Sequence, residues 1–225
     1  MKWFINFLTS SIGKKLIMSL TGLFLILFLV THLIGNLQLL YDDGGEAFNV
    51  YAKFMTSNPL IKMISYGLYF FILLHTVQGL LLWAVNKSKK GSTYVVKTKD
   101  NSSWASNNMA LLGTLVLFFL FIHMGDFWLK MKMGQLDMVT YDGNEVKDLY
   151  ARVNLAFKEL WIVIAYLIGL IALGFHLSHG FASAFQTLGL NHKKYTPIIN
   201  FLGMAYAILV PLAFAIIPLY VYFKN

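Results

Sequence analysis

Apolar residues in this chain gather into five blocks, at residues 16–40, 60–85, 109–131, 160–184 and 198–223. A bilayer's hydrocarbon core takes about 20 residues of helix to cross, so each block is long enough to span it. Polar residues return mainly between the blocks, in short connections. The pattern predicts an all-α, integral membrane five-helix transmembrane bundle, with residues 1–225 forming a single domain. Asn58 before Pro59 and Thr196 before Pro197 pair a capping side chain with a first-turn proline, and predict the starts of spans two and five. Pro211 and Pro218 lie within span five and predict a kink there. In the longest connection, from about residue 132 to 158, Leu149, Val153 and Phe157 recur at helical spacing. We expect helix four to begin outside the bilayer there and run in. The leading MKWFINFLTSSIGKK has no small-residue cleavage site and reads as an interfacial segment before a retained helix.

Charge adds an orientation. With the N-terminus inside, the inner side holds Lys2, Lys14, Lys15, Lys87, Lys89, Lys90, Lys97, Lys99, Lys193 and Lys194 against Asp100 alone, a net +9. The outer side holds eight basic and nine acidic residues, a net −1, and the two together give the +8 of the whole chain. Lysine bias of this kind predicts a cytoplasmic N-terminus and an outer C-terminus. It also accounts for the positive charge without a nucleic-acid partner. Composition agrees: 58% of residues are hydrophobic and 12% charged, too apolar for one soluble core. There is no cysteine, which excludes disulfides, thiolate zinc, cysteine-bound iron–sulfur clusters and covalent c-type haem in this chain.

The candidate chemistry is histidine. His32, His75, His123 and His176 fall one each on spans one to four, and span five has none. An ionisable residue within a span is a functional-site hypothesis by default, the plainer alternative being a helix–helix hydrogen bond. At 1.5 Å per residue, His32 and His123 lie roughly 5–6 Å beyond mid-span towards the outside, and His75 and His176 roughly 4–6 Å towards the inside. Two depth-matched pairs result. Two imidazoles on facing helices can hold a haem iron from both axial sides, and two levels predict two b-type haems. Zinc would need four ligands around one point, and no span carries the Glu-x-x-His of di-iron sites. Each histidine also has a polar residue one turn on: Asn36, Gln78, Asp126 and His179, placed as acceptors for the second imidazole nitrogen. Gly169, Ala172, Gly180 and Ser183 on the His176 face would admit a flat macrocycle, or serve ordinary small-residue packing. His176 and His179 share a face, so spacing does not choose between them. His192 lies in a basic inner loop and is expected to be solvated.

The chain resembles the single-chain, five-helix, di-haem cytochrome b anchor of succinate:quinone oxidoreductases (succinate dehydrogenase and fumarate reductase). The resemblance runs through SSIGKKLIMSLTG, HLIGNLQLL, HTVQGLLLW, IHMGDFW and GFHLSHGFASAFQTLG. The last matches the family's ligand four residues before a glycine, here His176 and Gly180. It implies His32 and His123 as iron ligands of the outer haem b, and His75 and His176 as those of the inner one, with His179 near the haem but not a ligand. It further implies flavoprotein and iron–sulfur subunits on the cytoplasmic face, which carry the dicarboxylate chemistry, and a place in the tricarboxylic acid cycle. This chain would pass electrons to or from menaquinone or another quinone in a bacterial cytoplasmic (inner) membrane, surrounded by lipid. An acidic residue near the outer haem would exchange protons with the quinone: Glu46 is favoured over Asp42, Asp43 and Asp126. Ser11 and Lys15 echo an inner quinone site of one-haem relatives. Arg152 is the one arginine, so haem propionates would meet lysine, His179, serine or tyrosine. Two rival readings remain, the cytochrome b of a hydrogenase or formate dehydrogenase and a histidine-based proton-coupled transporter. The His176–Gly180 block argues against the first, and the lack of midplane acids against the second.

Overall fold

The computed structural model describes residues 2–89 and 104–224. Lys90, Lys97, Lys99 and Asp100, which entered the charge count, lie outside the described residues, as does the side chain of Lys89. The chain order is α1 (Lys2–Thr9), α2 (Ser11–Leu37) with a 3-10 turn over Gln38–Leu40, α3 (Glu46–Ser57), α4 (Pro59–Lys89) and α5 (Trp104–Asn107). Then come α6 (Met109–His123), a π-helical stretch (Met124–Leu129), α7 (Lys130–Lys132), strands β1 (Met138–Tyr141) and β2 (Asn144–Lys147), α8 (Leu149–Phe157), α9 (Leu160–Thr187) and α10 (Thr196–Lys224).

Five helical stretches are long and apolar enough to cross a membrane: Ser11–Leu40, Pro59–Ser88, Met109–Lys132, Leu160–Thr187 and Thr196–Lys224. They mark a multi-pass membrane protein of helical-bundle type. Round the bundle, α2 packs on α4, α4 on α6, α6 on α9 and α9 on α2, which leaves α2 facing α6 on one diagonal and α4 facing α9 on the other. The fifth helix, α10, lies outside this ring against α9 and α2. Helix α9 is the interior one, with 44% of its most apolar window buried against 6% for α4 and for the α6 stretch. Phe70 and Leu73 on α4 and Phe118 and Phe121 on α6 are correspondingly exposed, a surface that suits hydrocarbon.

Local chemistry explains the helix ends. Ser10 caps α2, its hydroxyl oxygen accepting from the Gly13 amide at 3.0 Å. Gly13 has no room for a side chain, because the Leu8 Cα would lie 2.9 Å from its Cβ in the tight α1–α2 turn. Asn58 caps α4 as expected, its Oδ1 accepting from Leu60 and Ile61 at 3.0 and 3.2 Å. Thr196 does not cap α10. It is the first helical residue, and its hydroxyl donates to Asn191 Oδ1 while accepting from the His192 amide. Pro211 and Pro218 both lie inside α10.

Two further expectations change. The single helix foreseen from Leu149 into span four is two helices, broken where Glu159 is extended (φ −85°, ψ 110°). Val153 and Phe157 are buried on the inner face of the first, α8. The chain is also not purely helical: β1 and β2 form an antiparallel hairpin in which Tyr141 pairs with Asn144. The turn residues Asp142 and Gly143 both have positive φ (47° and 80°), the backbone that a tight hairpin turn demands.

The hairpin, α3 and α8 join into a cap at one end of the bundle. Asn49, 1% exposed, holds it together. Its Nδ2 donates to Tyr141 Oη (3.1 Å) and Asp148 Oδ1 (3.0 Å), and its Oδ1 accepts from the Tyr150 amide (2.9 Å). Gly45, with φ +90°, lies so close to the Tyr150 ring that a Cβ would overlap it. We predict that Asn49→Ala loosens the cap by about 1–3 kcal/mol through the stranded amide and carboxylate. Limited proteolysis in detergent should then cut within residues 138–147 faster, with the helical circular dichroism of the bundle unchanged.

Candidate functional site

The four span histidines occupy the four ring helices: His32 on α2, His75 on α4, His123 on α6 and His176 on α9. Each finds its counterpart across a diagonal. The His32 and His123 ring centroids are 5.6 Å apart with planes at 89°, and those of His75 and His176 are 6.2 Å apart with planes at 67°. These are the pairs that depth alone groups together. No group of three or more His, Asp or Glu converges on one point among the described residues. The two pairs are separate sites.

The spacing can be tested against an axial metal. With metal–imidazole bonds of about 2 Å and a ring centre roughly 1 Å behind each nitrogen, two axial imidazoles place their centroids about 6 Å apart. Both pairs lie near that separation. Glycines face the inner pair: a Cβ on Gly22 would come within 3.3 Å of His75 Cε1, and one on Gly113 within 3.8 Å of His176 Cε1. Gly180, one turn beyond His176, has open space where a Cβ would be. Gly169 does not contribute such room. The Phe119 ring fills its face, 2.6 Å from where a Cβ would be, so it serves α6–α9 packing.

His32 keeps the neighbour expected for its second nitrogen, Asn36, whereas the other three rings do not. His75 Nδ1 lies 3.1 Å from Thr21 Oγ1, a buried residue of α2. The Thr21 hydroxyl has one proton, and the Ile17 carbonyl accepts it at 2.8 Å. With that proton engaged, the Thr21 oxygen is placed to accept from His75 Nδ1–H, and a ring protonated there keeps Nε2 as its lone-pair nitrogen. Gln78, foreseen in this role, is buried elsewhere on the helix (7% exposed). His123 Nδ1 lies 3.2 Å from the Tyr166 hydroxyl of α9. Asp126, foreseen there, turns away: its Oδ1 accepts from Lys130 Nζ at 2.8 Å and from Arg152 Nη2. Asn36 Nδ2 donates to the His32 carbonyl at 2.7 Å and lies 3.3 Å from His32 Nδ1, a donor where an acceptor was expected. His179 does not bond the remaining ring, since His176 Nδ1 is buried without a hydrogen-bond partner.

Other foreseen residues scatter. Glu46 is exposed in the first turn of α3, on a surface pocket of about 410 Å³ with Lys53, Phe54, Tyr141 and Asp142. Asp42 and Asp43 are exposed, with Asp42 paired to Lys224 at 3.3 Å. Lys15 lines a shallower pocket of about 310 Å³ with Ile12, Ser183, Gln186 and Thr187. Ser11 is exposed at the start of α2, and His192 is exposed in its loop. Comparison with protein-family models, with curated proteins and with solved structures finds no match.

The Thr21–His75 contact gives a direct test. Thr21→Val should lower the unfolding midpoint in detergent by the equivalent of about 1 kcal/mol, because the buried His75 ring loses its hydroxyl partner. Thr31→Val, on an exposed face of the same helix, should leave it unchanged.

Proposed function

We propose that this chain is the membrane-anchor cytochrome b subunit of a succinate dehydrogenase/fumarate reductase complex. It holds two b-type haems, one on His32 and His123 and one on His75 and His176, in a bacterial cytoplasmic membrane with its N-terminus inside. The observation that carries the reading is the pair of diagonal histidine contacts at 5.6 and 6.2 Å, each near the separation of two axial imidazoles. When bound, such a haem would supply a reversible one-electron couple.

The chain's own residues do the positioning. Thr21 orients His75 through its hydroxyl contact with Nδ1, and Tyr166 holds the His123 ring from α9. Phe119 and Phe127, packed on the His123 ring, exclude water from the outer pair. Gly22, Gly113 and Gly180 keep side chains away from the inner pair. His179, one turn from His176, lies beside the inner site without being its ligand. Electrons pass between an iron–sulfur subunit on the cytoplasmic face, itself joined to a flavoprotein, and menaquinone or another quinone. On the outer side Glu46 lines an open pocket and is the acid proposed for quinone proton exchange, since Asp126 is already engaged in two ion pairs.

The decisive measurement is a reduced-minus-oxidised spectrum with haem quantitation on the purified chain. Two b-type haems per chain are expected, and absence of b-type bands would overturn the reading. His176→Ala should lose the inner haem, while His179→Ala should retain both; loss on His179→Ala would reverse the ligand assignment. Glu46→Gln should slow quinol turnover at least tenfold in the assembled complex and leave the haem spectrum intact, as expected for loss of a proton-transfer group.

A further inference from the structure

At the outer histidine level the protein places a charged cluster inside its fold. Asp126 is three residues beyond His123, in the π-helical stretch Met124–Leu129. Its carboxylate meets Lys130 Nζ at 2.8 Å and the Arg152 guanidinium, and Arg152 Nε also donates to the Asp126 carbonyl at 3.3 Å. The side chains of Arg152 and Asp126 are only 16% and 14% exposed. Asp126 Oδ2 is buried and has no partner. Two cations therefore surround one carboxylate, leaving a net charge of +1 in a partly buried setting.

Aromatic rings lie between this cluster and the histidines. Tyr166, 5% exposed, bonds His123 and packs against Phe119, Phe127 and Phe157. Charges reach further through such a medium than through water. The exposed Lys224–Asp42 pair at the same end is screened by solvent and matters little. Among the described residues, the neighbours of the inner pair are Thr21, Gly22, Gly113 and His179, with no such cluster. The asymmetry is built into the fold.

Resting on the two-haem reading, we infer that the Arg152–Asp126–Lys130 cluster sets the electron affinity of the outer haem site. Reduction at that site would add one electron and so remove one positive charge. A neighbouring net positive charge favours that change, so the cluster raises the reduction potential of the outer site. Arg152 and Lys130 are positioning residues in this sense, and Asp126 both tethers them and moderates their effect. The cap takes part, because Arg152 reaches the cluster from α8.

The test is a redox titration followed optically on the full chain with its haems, the outer component being the one that His32→Ala removes. Arg152→Gln should lower the reduced-to-oxidised ratio of the outer haem at fixed potential roughly three- to tenfold, the order of one partly screened charge. Lys130→Gln, at a more exposed position, should lower it less. Asp126→Asn should raise it, and the inner haem should stay within a factor of two throughout. A merely structural clasp would shift Asp126→Asn and Arg152→Gln in the same direction, because both break the same ion pair. That result, or an unmoved ratio in Lys130→Gln and Asp126→Asn, overturns the inference even if Arg152→Gln does not fold. Failure of the haem reading is distinct, since the unsubstituted chain would then lack b-type bands.

Discussion

An imidazole at bilayer depth has no water to bond, so its polar edge depends on the protein interior. Three of the four rings have a side-chain partner there, and His176 Nδ1 has none. Four such rings, one on each of four helices, constrain this bundle more than any other feature. They must point inwards, which fixes the rotation of α2, α4, α6 and α9. They must also meet in pairs. In a ring of four helices, neighbours pack side by side and only the diagonals face each other across the interior. The pairing of His32 with His123 and of His75 with His176 uses both diagonals. Glycine occurs where a neighbouring helix approaches a ring, at Gly22 for His75 and at Gly113 for His176.

Much of this was legible in the sequence. Span length follows from unbroken apolar runs, and depth follows from counting along a helix of known rise. Those two quantities group the histidines correctly without any knowledge of packing. Asn36 does meet His32, but which side chain meets the second nitrogen of the other three rings could not be read. Asn36, Gln78, Asp126 and His179 were chosen because they lie one turn along the same helix. Thr21 and Tyr166, which bond His75 and His123, come from other helices, and their register depends on how helices slide and rotate against each other. A pattern within one span carries no information on that. The glycines divide for the same reason: Gly169 packs against Phe119 and Gly180 faces open space, although both sit on the same apolar stripe.

The cap is a different case, because its signals were local and were passed over. Asp142–Gly143 between Val139, Tyr141 and Val146 is a tight-turn signal flanked by residues that suit strands. The charged pair Lys158–Glu159 directly precedes the apolar run of α9, a place where a helix can break at little cost. Asn49 bonds three partners from the hairpin and α8, at separations of 92 to 101 residues, and no local pattern announces such a hub. Folding the loops at this end of the bundle into one unit delivers Arg152 to Asp126. A connection without structure could not hold a guanidinium in a partly buried place, since ordering it would cost the side chain's rotamer freedom with no fixed backbone to offset it.

Helix α10 carries no histidine and lies outside the ring, yet it braces two of its members. Helix α9 has glycines on more than one face: Gly169 meets α6, and Gly174 faces the Ala207 carbonyl at 3.1 Å from where a Cβ would sit. Gly203 of α10 in turn receives the Phe181 ring of α9. Close packing through small residues is how helices associate where hydrocarbon gives no hydrophobic drive. Tyr206 adds a bond from α10 to the Ile26 carbonyl of α2, at 2.6 Å. Helix α10 thus ties α9 to α2, two adjacent members of the ring that carry one histidine of each pair. If α9 rotated by one residue, about 100°, both His176 and Tyr166 would leave the interior together. The fifth helix holds that rotation in place, and through it the geometry of both levels.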